Sequence, residues 1–168
     1  MEGRFAGLRS GADTSVAYHQ LALLHRQASD TESPAESNEH LECYQEYLIK
    51  SVEENPANDD ARLALVRHFL FEQPALDSAE ELLAAPSTSA APFVGLRGLL
   101  FSMTARHEQA TEHLVAALAS GDPVVAFDLL RMLALGFELR DRERIAAAIG
   151  PEFPASARQA LLRSLHTE

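Results

Sequence analysis

The sequence predicts an all-α fold of antiparallel helix-hairpin repeats, a short α-solenoid ending in a C-terminal capping helix. Three observations carry this expectation. Apolar residues recur at helical spacing in about nine segments, with no convincing strand between them. The breaks between segments hold turn and breaker residues, as in Asn55–Asp60, Pro74, Pro86–Pro92, Pro123 and Pro151–Pro154. The segments also recur in pairs. Ala22, Val66, Gly98 and Leu133 stand at equivalent points of first helices, and Tyr44, Ala79, Ala110 and about Ala146 open second helices, with later steps of 31 to 36 residues.

Each element has its own signal. Residues 1–14 read as a flexible lead-in, and 15–168 as one helical repeat domain. Ser15–Ala28 forms a first helix with Ala17, Leu21, Leu24 and Ala28 on its inner face and Tyr18 and His25 beside it. The acidic, proline-bearing stretch 29–39 reads as a mobile loop or insert. His40–Glu54 follows, with Tyr44, Tyr47, Leu48, Ser51 and Val52 inward. Pro56 stops that helix, and Asn58 or Asp59 caps the next, Ala61–Glu72. Leu76–Ala85 is short, and 86–92 is a linker.

The densest pattern is Phe93–Pro123, an apolar run and a second helical stripe joined by a polar turn at Thr104–His107. Gly98, Ala110 and Ala117 are small where two antiparallel helices must approach closely. Val124–Leu139, Asp141–Ile149 and Ala155–Leu165 complete the chain.

Composition excludes several functions. The 46% apolar content excludes wholesale disorder, and the formal charge of −11 offers no basic stripe for nucleic acid. Residues 1–60 hold twelve acidic and four basic side chains, a net of −8. This acidity keeps a protein soluble or attracts a basic partner. Cys43 is the only cysteine, so no internal disulfide forms, which fits a cytoplasmic setting. No run is apolar enough to span a membrane, and the first residues lack the apolar core of a secretory signal.

The period and its residues resemble the tetratricopeptide repeat. Tyr18, Leu21, Ala22, Tyr44, Leu48, Ser51 and Pro56 fall on motif positions in a first repeat; Leu65, Val66, Phe69, Ala79 and Leu83 do so in a second. Gly98, Phe101, Ala110, Leu114 and Ala117 make the best repeat, while the fourth, from about Phe127 to Ile149, is degenerate. Val94 and Arg97 depart from the pattern, and the chain has no tryptophan.

That resemblance implies a concave groove holding a peptide or helix from a partner. Carried onto this chain, its wall holds His19, Leu23, Arg26, Leu63, Arg67, Phe71, Leu99 and Met103, with Gln27, Leu70, Gly95 and Ser102 beside them. Such a mostly apolar wall suits an apolar or amphipathic segment. Each of these residues also reads as plain core between repeats, Leu63, Leu70 and Leu99 above all. The implied function is a non-enzymatic interaction module: an adaptor, assembly factor or chaperone. The alternative is a structural subunit packed permanently in a larger complex.

Catalytic and cofactor signatures are not evident. His19 and His25, like His107 and His113, are spaced six apart and share no helix face, so no metal site is expected. Glu36, Glu39, Glu42 and Glu46 read as a solvated acidic face. Cys43 has His40 three residues back, not at catalytic spacing. Glycine-rich phosphate loops and a nucleophile elbow are absent from the sequence.

Overall fold

The computed structural model describes residues 11–31, 34–84 and 89–166. Among them are nine helices and no strand: α1 (Gly11–Ser29), α2 (Pro34–Glu54), α3 (Asp59–Phe71), α4 (Leu76–Leu83), α5 (Ala91–Met103), α6 (His107–Leu118), α7 (Pro123–Ala134), α8 (Arg142–Ala147) and α9 (Ala155–His166). The all-α class and the helix hairpins are as expected, with α1 packed on α2 and α5 on α6. The chain divides into two compact units, one up to His68 and one from Phe69 onward.

In the first unit α1 meets α2 through small residues. Ser15, Ala22 and Ser29 are its buried positions, seven apart, and Ser15 hydrogen-bonds Ser51 of α2. The expected inner face of α1 is therefore corrected, because Leu21 and Leu24 face solvent. Residues 34–39 are also corrected, from loop to helix. Proline suits a first helical position because the N–H it lacks would have no partner there. Of the expected lead-in 1–14, residues 1–10 lie outside the described residues, and 11–14 are corrected to the first turn of α1. Residues 32–33, Ala85 and 86–88 of the expected linker also lie outside the described residues. Asn58 caps α3, its Oδ1 accepting from the Ala61 N–H at 3.2 Å.

In the second unit α5 is central, packing against α4, α6 and α7. Phe93, Leu96, Leu99 and Leu100 fill its surroundings. Two glycines make the close approaches: a Cβ on Gly98 would lie 2.9 Å from Leu114 Cγ, and one on Gly95 would lie 3.2 Å from Val125 Cγ1. The turn after α5 is a Schellman motif. Arg106 N–H donates to Phe101 O at 2.8 Å and Ala105 N–H to Ser102 O at 3.2 Å, with Ala105 left-handed at φ 60°.

Helix α7 opens on Asp122, whose Oδ1 accepts from Val124 N–H at 2.8 Å, with Pro123 at the first helical position. It closes at Ala134, short of the expected Leu139. Gly136, at φ 80°, forms a second Schellman motif there, with Phe137 N–H bonding Met132 O. The recurring pattern weakens from this point. Val66, Gly98, Ala79 and Ala110 are buried at their repeat positions, whereas Leu133 and Ala146 are half-exposed. Helix α9 packs on both α7 and α8 as the C-terminal element.

Candidate functional site

The residues expected to line a groove divide between the two units. His19, Leu23, Arg26, Leu63 and Arg67 belong to the first; Phe71, Leu99 and Met103 belong to the second. On α1, Leu23 is exposed, and Val16 (54% exposed) and Leu24 (61%) add apolar surface that the sequence reading placed inward or passed over. These side chains are outside because the small-residue stripe of α1, not its leucines, faces α2.

Tyr18 and His25 lie against α2, with ring centroids 6.1 Å and 5.4 Å from that of Tyr47. His25 Nδ1 and His40 Nδ1 are 2.8 Å apart, so one nitrogen donates and the other accepts. Arg26 sits 6.0 Å over the Tyr44 ring. His19 is half-buried, and loss of water around its ring lowers its pKa, opposed by the nearby Asp60 carboxylate. Leu63 and Arg67 are both half-buried on α3.

In the second unit Phe71 lies under the guanidinium of Arg131, 4.7 Å from its ring centroid, and Glu72 holds the same arginine at 3.1 Å. Met103 is half-buried, and the neighbouring Ser102 hydroxyl donates to Glu138 O at 3.2 Å. Leu99 is 1% exposed, so it is corrected from groove wall to core. Gly95 is likewise covered, by Val125 of α7 and Ala117 of α6. The packing of α7 on α5 uses the face on which the repeat resemblance places a ligand.

The surface missed by sequence reasoning is on α7. Val125, Ala126, Leu129 and Met132 are buried, while Phe127 is 63% exposed, Leu135 just beyond the helix is 53% exposed, and Val124 is exposed as well. A helix apolar on both faces was the available signal, because such a helix asks for a neighbour on each side.

Among the described residues, no group of three or more His, Cys, Asp or Glu side chains could hold a metal ion. None of the described helices is long and apolar enough to cross a membrane. Comparison with known proteins finds no matching family model, curated protein or solved structure. The fold and its surface define a class: an all-α protein of tightly paired helices with a helix-hairpin repeat architecture.

Proposed function

We propose that this chain is a non-enzymatic protein–protein interaction module built from tetratricopeptide-like helix pairs, an adaptor, assembly factor or chaperone working in the cytoplasm. The observation that carries the reading is the exposed apolar surface of α7, Phe127 with Val124 one turn before it and Leu135 just beyond the helix end. Large apolar side chains gathered on one exposed face mark interaction surfaces, because leaving them in water is unfavourable. Val16, Leu23 and Leu24 on α1 supply a second such surface within the first unit. The family-level reading is supported by the close α5–α6 approach at Gly98 and Ala110, where tetratricopeptide repeats keep small residues. The client is an apolar or amphipathic segment. A permanent subunit rests on the same exposed surface, and stoichiometry separates the two.

The test is affinity capture of the full chain from its native cell, with the parent beside Phe127→Asp and Leu24→Asp. A partner retained by the parent and lost from either folded variant supports the reading. A partner set identical for all three proteins overturns it. A free pool with exchangeable clients identifies an adaptor or chaperone, and a fixed stoichiometric complex identifies a subunit.

A further inference from the structure

The chain's charge is polarised. Residues 140–168 carry five arginines against four carboxylates, although the whole chain is −11. Helix α9 is the extreme case, with Arg158, Arg163 and His166 and no carboxylate at all. Its helical geometry places Ala155, Gln159, Leu162 and His166 on one central stripe, with Arg158 along one flank and Arg163 along the other. Leu161 and Leu165, next to the Arg158 flank, are buried, while Leu162 is half-buried and the rest of the stripe and both arginines are exposed.

The helix macrodipole accounts for only part of this. Arg163 and His166 lie in the last turn, where a cation is favoured. Arg158 lies near the N-terminal end, where a cation gains nothing from the dipole.

We propose that this face of α9 docks an acidic amphipathic helix from a protein partner. This deepens the reading of the chain as an interaction module and rests on it. An apolar residue of the partner seats over Leu162, and carboxylates on its two sides pair with Arg158 and Arg163. The guanidinium fork suits such pairing because it meets a carboxylate with two parallel hydrogen bonds. The size of the face selects a short ligand: twelve helical residues span about 18 Å. An extended polyanion would run beyond that length beside a chain that is otherwise strongly acidic.

The probe is a short fluorescein-labelled helical peptide with leucine along one stripe and glutamate on both flanks. Controls are a scrambled peptide of the same composition and a version with lysine for glutamate. Anisotropy titrations use the full chain at low and at physiological salt. The parent binds the glutamate peptide, R158E/R163E weakens it about tenfold or more and gains affinity for the lysine peptide, and L162D also weakens it. Circular dichroism checks each variant; if the charge reversal unfolds α9, R158Q/R163Q makes the same test.

Equal affinity of parent and variant overturns the proposal, as does equal binding of the scrambled peptide. Preferential binding of phosphatidylserine-containing vesicles overturns it in favour of a membrane surface. A parent dimer that R158E/R163E dissolves, measured by light scattering, overturns it in favour of a second copy. Failure of the peptide while capture still depends on Phe127 removes this proposal alone.

Discussion

Ser15 and Ser51 tie α1 to α2 by a reciprocal pair of hydrogen bonds. The Ser15 hydroxyl donates to Ser51 O at 2.6 Å, and the Ser51 hydroxyl donates to Ser15 O at 2.7 Å. Both hydroxyl protons are then used, so the two oxygens, 3.1 Å apart, share none between them. Asn58 supplies protons instead, its Nδ2 lying 2.9 Å from Ser15 Oγ and 3.2 Å from Ser51 Oγ. The same Asn58 caps α3 through its other amide atom. One side chain thus closes a buried polar network over three helices.

Removing either hydroxyl strands a buried partner. Ser51→Ala is expected to cost about 1–3 kcal/mol in urea unfolding. Asn58→Asp separates the two jobs of that residue: it keeps a cap acceptor but loses the amide protons and sets a carboxylate against two hydroxyl oxygens. It should therefore destabilise, whereas a residue that served only as the cap would make this exchange neutral.

Gly98 and Ala110 test the α5–α6 contact. A Cβ at Gly98 meets not only the Leu114 side chain but its backbone nitrogen, at 3.0 Å, which no rotamer change relieves. Gly98→Ala should be no more stable than the parent, despite a helix-propensity gain of about 1 kcal/mol. At Gly95 the nearest atom belongs to the Val125 side chain, so Gly95→Ala should be the milder change. Ala110→Leu overpacks a buried contact and should lose about 1–3 kcal/mol. Thermal unfolding of the three variants ranks them, and a Gly98→Ala protein stabilised by the full propensity gain would place this residue on an open surface.

The two Schellman turns predict opposite signs for one exchange. Ala105 holds φ 60°, a conformation that costs a non-glycine residue about 1–2 kcal/mol, more than the extra backbone entropy of glycine. Ala105→Gly should stabilise by up to about 1 kcal/mol. Gly136 holds φ 80° with open space around it, so Gly136→Ala should lose about 1 kcal/mol from conformation alone. Denaturation midpoints that move in the same direction for both would refute the assignment.

His19 makes stability depend on pH. Its folded pKa lies below the usual histidine value of 6.5, because burial disfavours the imidazolium more than Asp60 favours it. The unfolded chain therefore takes up a proton first as pH falls. His19 contributes no pH dependence well above 6.5, and stability is lost as pH drops below 6.5 towards the lowered folded value. His19→Gln should reduce the fall in urea midpoint between neutral and mildly acid pH. An unchanged slope assigns that pH dependence to other groups.

Much of this molecule is a local matter. Periodic apolar residues place the centres of the nine helices among the described residues, Pro56 and Asn58 mark the α2–α3 junction, and the small residues of Phe93–Pro123 announce the α5–α6 hairpin. These signals are legible because propensity, capping and breaking act over a few neighbouring residues. Which face of a helix turns inward is different. In α1 the periodicity points to Ala17, Leu21, Leu24 and Ala28, and contact with α2 buries Ser15, Ala22 and Ser29 instead. In α7 apolar residues lie on both faces, and the glycine-relieved approach of α5 buries Val125 while Phe127 stays in water. Leu99 is core as well. Periodicity reports that a helix has an apolar face, but the partner that covers it comes from residues distant in sequence, so burial is settled only when the helices pack.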